Sequence, residues 1–368
     1  MTFTFSADGH VLEPNDLFTA NLPPQLVRHG IRSERQDEHM VTLSGSREIN
    51  RIPLHKPVPR EVAEFGRKNR LGMSDLNGRL ADMKDEGIDA EIVFPSTGLW
   101  TFLIEEPEVE AISCRTYNDW IDGYFAGHLD KFIRCAILPV RDFSNTLAEM
   151  KRIAAKGFTA AMLPSVTPIG APQYNDEAWD PIFEAGQELG IVFVLHTGTG
   201  QKDVREWKGG GGAVINYTIQ MAHAQTSLLL MTASGLLDRF PGAQVAVIES
   251  GASWLAALAE RMDEVYQAHQ IFVRPKLSVL PSEIVKRQIS ASFQYDRACV
   301  MSRSVTGTRA LMWGSDYPHH EGTFPNSRHV VAHLFDGIDI SEQEKADILG
   351  GNAARLFRLQ RPEFMKAA

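Results

Sequence analysis

Cysteine is scarce in this chain, and the three residues present, Cys114, Cys135 and Cys299, are isolated and lack CxxC spacing. They provide neither a disulfide framework nor a thiolate metal site. The chain also has no uncharged apolar run approaching the roughly 20 residues of a membrane helix. Its first residues, MTFTFSADGH, lack the basic region, apolar segment and small-residue cleavage site of a signal peptide. These absences predict a cytoplasmic protein without a membrane partner.

Residues of like charge form no long block anywhere in the sequence. The 37 lysines and arginines are interspersed with the 46 aspartates and glutamates, and the formal net charge is -9. Such a chain offers no basic surface that would follow a phosphate backbone, so nucleic-acid binding is not expected. The hydrophobic fraction of 43% and the charged fraction of 23% are those of an ordinary globular protein.

Short apolar runs alternate with longer segments of helical periodicity. Several runs, such as IVFVL, are apolar at every position, which is typical of parallel strands buried on both faces. Helical spacing is clear at 75–86 and 144–155, and Gly87, Gly157 and Gly190 follow helical patterns as C-terminal caps do. The alternation predicts an α/β protein, a single TIM-like (β/α)8 barrel domain over residues 1–368, with strands at 3–8, 90–95, 133–139, 159–164, 191–196, 245–249, 288–293 and 311–316.

Three segments depart from the simple repeat. Residues 22–68 are polar, contain proline and show weak periodicity, so we expect an insertion after the first strand that covers the barrel mouth. Residues 198–212 form a glycine-dense loop, which we interpret as a surface connection because no Lys-Ser/Thr or helix-opening GxGxxG accompanies it. Residues 341–358 are expected to form a closing helix.

Polar side chains end several of the predicted strands, at the rim where barrels of this kind build their active sites. The first strand ends in the motif DGH, and because side chains alternate along a strand, Asp8 and His10 point the same way. His196 ends the fifth strand, Glu249 the sixth and Asp316 the eighth. Imidazoles and carboxylates at one rim predict a divalent-metal site, with zinc as the first choice and manganese or iron as alternatives.

Four stretches of the sequence resemble the amidohydrolase superfamily, in the branch that includes aminocarboxymuconate-semialdehyde decarboxylase and gamma-resorcylate decarboxylase. They are ADGHVLEP at 7–14, VLHTG at 194–198, LLDRFPGAQVAVIESGASW at 236–254 and WGSDYPHHEG at 313–322. The resemblance implies that Asp8 and His10 are first-strand metal ligands, His196 the fifth-strand ligand and Asp316 the eighth-strand carboxylate. In that family the last aspartate can also accept a proton from a metal-bound water. Similar barrels often form dimers, so a homodimer is expected as well.

Two positions depart from the pattern of the family. The decarboxylases carry a catalytic histidine at the end of the sixth strand, where this chain has Glu249, which weakens the case for decarboxylation. The fourth strand ends in MLP at 162–164, without the lysine that bridges two metals in binuclear relatives. A second metal would need other ligands, for which His223, Glu249 and His319 or His320 are the candidates.

Further residues are candidates for contact with the substrate or the reacting groups. We expect His223 to take part in proton transfer, His319 and His320 to reach the substrate, and Trp254 and Trp100 to line an apolar pocket. Each has a competing structural role, since histidines cap or solvate and aromatic residues are more often core. The arginines of the insertion either bind a substrate carboxylate or are solvated charges: Arg51, Arg60 and Arg67.

Three reactions fit this set of residues. The first choice is hydrolysis of a small organic substrate, carboxylated or cyclic, in which metal-bound water attacks, Asp316 is the general base, and Glu249 or His223 assists the leaving group. The alternative is non-oxidative decarboxylation of an aromatic or enoic acid. A further alternative is a dinuclear iron or manganese oxygenase. A barrel that only binds a partner is the non-catalytic possibility, which the intact ligand set disfavours.

Overall fold

A parallel β-barrel is the centre of the molecule. The computed structural model describes residues 2–54, 71–201, 206–361 and 364. Within them, parallel strands follow one another around a ring of eight positions, in the order of the chain. The first position is divided into two short strands that both pair with β6. The barrel strands are β1 (Phe5–Ser6), β2 (His10–Val11), β6 (Ala90–Pro95), β7 (Phe132–Ile137), β8 (Ala160–Pro164), β9 (Val192–His196), β10 (Gln244–Ile248), β11 (Ile289–Phe293) and β12 (Leu311–Trp313).

The ring closes between β12 and the first position. Ala7 donates its N–H to the carbonyl of Trp313 at 2.9 Å, and Asp316 donates its N–H to the carbonyl of Asp8 at 3.0 Å. Every residue of β6, β8 and β9 is buried, because side chains fill the barrel on one face and helices cover the other. The predicted (β/α)8 barrel is confirmed, and the predicted strand at 90–95 matches β6 residue for residue.

Helices follow the barrel strands, as the periodicity predicts. The helix expected at 75–86 begins at Leu76, where the Asp75 side chain accepts from the N–H of Gly78, and it ends at Gly87, whose φ is 75°. The helices are α1 (Leu17–Ala20), α2 (Leu76–Glu86), α3 (Pro107–Tyr124), α4 (Phe143–Ala155), α5 (Asp180–Leu189), α6 (Gly212–Ala233), α7 (Leu236–Arg239), α8 (Ser253–Ala268), α9 (Pro281–Gln288), α10 (Arg297–Met301), α11 (Arg303–Thr306), α12 (Ser327–His333), α13 (Glu342–Ala346) and α14 (Asn352–Leu356).

The last helical segment is continuous but not regular. Between α13 and α14 the chain makes a π-helical turn over Asp347–Gly351, so helical backbone extends from Glu342 to Leu356. The closing helix expected at 341–358 is therefore found at that position. The spacing of apolar residues gave no indication of the π turn. In the described part of the chain, none of the helices combines the length and the apolar character needed to cross a membrane.

A small antiparallel sheet follows α1. It consists of β3 (Ile31–Gln36), β4 (His39–Ser44) and β5 (Arg47–Pro53), and it occupies the middle of the expected insertion. The strands were not predicted, because β3 is mostly exposed and polar and so carries little alternation of apolar residues. Residues 55–68, the end of the expected insertion, lie outside the described residues.

A buried carboxyl group on α3 makes the stability of the fold depend on pH. The side chain of Glu110 accepts from the backbone N–H groups of Val140 and Arg141 through one oxygen, at 3.1 and 3.0 Å. Its burial outweighs these contacts and the charge of Arg141 and raises its pKa to about 7. Between pH 4.5 and 7 the unfolded chain releases this proton while the folded chain keeps it. The free energy of unfolding therefore falls as pH rises through this window.

We predict that Glu110→Gln removes this pH dependence. At pH 5 the variant should match the parent, and at pH 8 it should be more stable, by on the order of 3 kcal/mol at most, because about 1.4 kcal/mol corresponds to each pKa unit. Denaturant unfolding at both pH values measures the difference. Glu108→Gln, on the exposed face of the same helix, is the control. A difference between Glu110→Gln and parent that is the same at pH 5 and pH 8 would contradict the prediction.

Candidate metal centre and substrate cavity

The strand ends bring the predicted ligands to one rim of the barrel. Asp8 lies between β1 and β2, His10 begins β2, His196 ends β9 and Asp316 follows β12. All four are completely buried, with 0% of each residue exposed. Charged and polar groups at this depth need partners, so their mutual contacts determine what the site can hold.

Two imidazoles face each other, each through its Nε2 atom. Nδ1 of His10 lies 2.8 Å from the carbonyl of Pro95, and Nδ1 of His196 lies 2.9 Å from the carbonyl of Thr197. Because a carbonyl only accepts, both Nδ1 atoms carry a proton, and the two Nε2 atoms, 3.1 Å apart, point their lone pairs at each other. Facing lone pairs repel, so a positive charge, either a proton or a metal ion, has to lie between them.

Asp8 adds negative charge to the same point. Its Oδ1 lies 3.6 Å from Nε2 of His10 and 3.7 Å from Nε2 of His196. Neither carboxylate oxygen of Asp8 has a hydrogen-bond partner among the residues that the structure describes, although both are buried. Unsatisfied carboxylate oxygens beside two imidazole lone pairs fit a divalent cation.

A second group of ligand atoms shares His10 with the first. Asp316 Oδ1 lies 3.6 Å from Nε2 of His10 and 2.8 Å from Nδ1 of His319. Glu249 completes this second group, whose ligand atoms lie within 4.8 Å of one another. The structure thus brings all four predicted ligands together. Beside them it places Glu249 and His319, which the sequence offers as candidate ligands for a second metal.

The backbone is held in an uncommon conformation at two residues of the site. Glu249 has a φ of 59° and Asp316 a φ of 53°, in the left-handed region that favours glycine. Glu249 directly follows the barrel strand β10, and Asp316 lies three residues after the end of β12. Such conformations persist where the surroundings impose them, and they concentrate at functional sites.

Burial and neighbouring charges shift the pKa values of the site's residues in different directions. Burial, with the neighbouring His319 and His196, lowers the pKa of His10 well below its usual range. Burial also acts to lower the pKa of His196, but the carboxylates of Asp8 and Glu249 outweigh it and raise that pKa. Burial and the carboxylates of Asp316 and Asp8 raise the pKa of Glu249 well above its usual range. The shifts favour the neutral form of His10 and the protonated form of Glu249.

An open cavity of about 1210 Å³ adjoins these groups. Its wall includes four of the predicted residues, Glu249, His319, His320 and Trp100. Two aromatic residues that were not predicted, Trp207 and Tyr217, are brought to the wall by the glycine-dense loop and the start of α6. An aromatic residue in a loop after a barrel strand is the signal that could have found Trp207. The glycine-dense loop therefore forms part of the cavity wall as well as connecting two elements.

Two predicted residues lie elsewhere. Trp254 is 8% exposed and packs in the core of the barrel, where its indole N–H donates to the carbonyls of Ser250 and Gly251. It is absent from the described cavity wall, so the expectation that it binds substrate stays a prediction without a supporting contact. His223 lies within the continuous helix α6 and likewise contributes nothing to the described wall. Its expected part in proton transfer stays a prediction without a supporting contact.

Of the three arginines proposed from the insertion, the structure describes Arg51. Arg51 donates to Glu48 at 2.7 Å and to Gln36 at 2.9 Å, on the small sheet. It is the surface charge that the alternative interpretation expected. Arg60 and Arg67 lie outside the described residues.

Comparison with known proteins places the chain in a family. The family model described as amidohydrolase matches residues 37–359. This chain belongs to the amidohydrolase family. A gamma-resorcylate decarboxylase from Rhodococcus jostii is 26% identical to it over 317 residues, which cover 78% of this chain and 91% of that protein. Membership in this family supports an enzymatic function, which the predicted set of metal ligands also indicates.

Solved structures of similar fold include an amidohydrolase and a decarboxylase. The amidohydrolase, from Mycobacterium avium subsp. paratuberculosis K-10, has a TM-score of 0.80 and 19% identity, covering 97% of this chain and 98% of its own. The other is a dihydroxybenzoic acid decarboxylase from Polaromonas sp. with bound manganese and the inhibitor 2-nitroresorcinol. Its TM-score is 0.64 at 18% identity, and 99% of each chain is covered. At these identities the two structures show the fold, and the ligand cluster described above is the group of side chains in this chain that could hold a metal ion.

Proposed function

We propose that this amidohydrolase-family member is a metal-dependent, non-oxidative decarboxylase of carboxylated aromatic compounds. The observation that carries the proposal is the cluster of Asp8, His10 and His196 beside an aromatic-lined cavity. The similarity to gamma-resorcylate decarboxylase supports this reaction over hydrolysis, which was the first choice from the sequence. We propose zinc or manganese as the ion, since imidazole and carboxylate ligands suit both and the Polaromonas structure contains manganese.

Four side chains are proposed to hold the ion: Asp8, His10, His196 and Asp316. When bound, a divalent ion supplies an anchor for the substrate oxygens and withdraws electron density from them. The protein contributes rigid geometry, because the Nδ1 atoms of both histidines are bonded to backbone carbonyls and cannot turn away. His319 holds Asp316 from the cavity side through its Nδ1.

Decarboxylation also requires a proton donor. Breaking the bond between the ring and the carboxylate releases carbon dioxide and leaves the electron pair on the ring carbon, which must take up one proton. Glu249 lines the cavity, and burial together with the carboxylates of Asp316 and Asp8 raises its pKa well above its usual range, which favours the protonated carboxyl. We therefore propose Glu249 as the general acid, in the position where the decarboxylases that the sequence resembles carry a histidine.

The cavity wall is suited to an aromatic ring. Trp100, Trp207 and Tyr217 contribute aromatic surface, and Leu12, Met73 and Leu99 contribute aliphatic surface. Aromatic side chains pack against a flat ring in offset or edge-on arrangements that add to the burial of apolar area. Lys208, at the same wall, provides a positive charge for an anionic substituent.

The proposal is tested by product analysis with the purified enzyme, loaded in turn with zinc and manganese. Gamma-resorcylate and a panel of hydroxylated benzoates are the probes. We expect carbon dioxide release and, in D₂O, one deuterium at the ring position that lost the carboxylate. Incorporation of ¹⁸O from labelled water into an organic product, without carbon dioxide, would instead establish hydrolysis. Metal analysis of the same preparation decides between one ion and two.

A further inference from the structure

A buried ion pair lies behind the metal-binding rim. Arg79 on α2 is 0% exposed and Glu91 on β6 is 1% exposed, and Nε of Arg79 donates to Oε1 of Glu91. Both charges interrupt patterns that are otherwise apolar, since Arg79 shares a helix face with Leu76 and Met83 and Glu91 stands in the strand AEIVFP. Replacing a buried pair by apolar residues often leaves stability unchanged or raises it, so stability alone explains this pair poorly.

Arg79 reaches past Glu91 to the backbone of a proposed ligand. Its Nη1 donates to the carbonyl of His10 at 2.5 Å and, more weakly, to the carbonyl of Gly72 at 3.3 Å. The guanidinium also lies over the ring of Tyr317, 5.1 Å from its centroid. The hydroxyl of Tyr317 in turn donates to Asp82 at 2.5 Å. One side chain thus links α2, β2 and the loop that carries Asp316.

His10 is held at three points, and Arg79 provides one of them. Its N–H donates to the carbonyl of Tyr317 at 2.6 Å, its carbonyl accepts from Arg79, and its Nδ1 bonds the carbonyl of Pro95. These contacts occupy every polar atom of His10 except Nε2. The direction of Nε2 is therefore determined by the three contacts together.

Two glycines leave space for this arrangement. A Cβ on Gly9, between Asp8 and His10, would lie 2.7 Å from Oε2 of Glu91 and 3.0 Å from Nη2 of Arg79. A Cβ on Gly72 would lie 2.6 Å from Cα of Arg79. A side chain at Gly72 would require a shift of the backbone, and one at Gly9 would displace the side chains of the ion pair. The glycine of the DGH motif thus makes room for the ion pair.

We propose that Arg79, oriented by Glu91, is a positioning residue that sets the direction of His10 Nε2 and with it the affinity and coordination geometry of the divalent ion. The inference rests on the metal site of the proposed function. It concerns affinity for the metal and the spectrum of the bound metal. Both can be measured without turnover.

The test uses the double variant Arg79→Met with Glu91→Leu, because either single change would leave a buried charge without its partner. We expect the double variant to fold, to bind Mn²⁺ about 10- to 100-fold more weakly, and to alter the visible spectrum of bound Co²⁺. Arg79→Lys, which keeps the charge and one donor, should recover part of the affinity. The matched control replaces the pair Arg134 and Asp122, which joins β7 to α3, with Met and Leu. It should bind Mn²⁺ like the parent.

Each outcome decides the inference. If the double variant folds and binds Mn²⁺ with parental affinity and an unchanged Co²⁺ spectrum, Arg79 has a structural role only and the inference is wrong. If the double variant does not fold, Arg79→Lys decides: a tenfold or greater loss of affinity supports positioning, and parental affinity overturns it. His10→Ala distinguishes a failure of this inference from a failure of the proposed function. Retention of Mn²⁺ by that variant would overturn the proposed metal site itself.

Discussion

His196→Ala is expected to abolish metal retention and, with it, activity. The change removes one of the two imidazoles whose Nε2 atoms meet at 3.1 Å, and it leaves Asp8 and His10 without the third member of their group. We expect affinity for the divalent ion to fall by more than about 100-fold, beyond the range typical of changes to residues that only support a ligand. Metal analysis after gel filtration, together with titration by Mn²⁺, measures the effect.

The control for this experiment is His269→Ala. His269 is exposed at the end of α8, where its Nδ1 bonds the carbonyl of Val265. Its removal should leave metal content and activity at parental values. Thermal unfolding in the presence of a chelator shows whether His196→Ala retains the fold. A folded His196→Ala protein with unchanged metal content would show that the ligand assignment is wrong.

Glu249→Gln is expected to lower kcat by about 10²- to 10⁴-fold without loss of metal, the range that a positioned proton donor contributes. Glutamine preserves the shape of the side chain but carries no transferable carboxyl proton. In the parent enzyme, kcat should fall as pH rises through the raised pKa of Glu249, because the acid form is the active one. The residual rate of the variant should lack this titration. Steady-state rates from pH 5 to 9 provide the measurement.

Two comparisons distinguish the possible roles of Glu249. Glu321→Gln changes an exposed carboxylate at the wall of the same cavity and should have little effect on kcat. If Glu249→Gln loses the metal together with activity, Glu249 is a ligand and not the acid. If kcat is unchanged and the metal is retained, the proton comes from another group and the proposed role fails.

Much of the barrel and of its metal site could be predicted from the order of residues along single elements. The strand at 90–95 and the helix at 144–155 lie within a residue of the predicted bounds, because burial on both faces of a strand and on one face of a helix leaves a regular apolar pattern. Asp8, His10, His196 and Asp316 are found at one rim because parallel strands bring their C-terminal ends to the same side.

Other parts depend on contacts between segments that are distant in the chain. Trp100 and Trp254 are alike as sequence signals, yet Trp100 lines the cavity and Trp254 packs in the core. The segment MAHAQT around His223 lies inside α6 and is mostly half-buried, with Ala224 fully buried. The direction of a side chain follows from the position of its helix against the barrel. A pattern along one helix leaves that position undetermined.

The amino-acid sequence by itself thus determined the class of fold, the rim of the site and the types of ligand, since each is encoded in local periodicity or in the residue that ends a strand. Only the tertiary structure decided that the two Nε2 atoms face each other, that Glu249 and His319 join the group, and that Arg79 holds the carbonyl of His10. These are distances between side chains on different elements. They arise only when the barrel closes, because closure alone brings β2, β9, β10 and the loop after β12 within a few ångströms of one another.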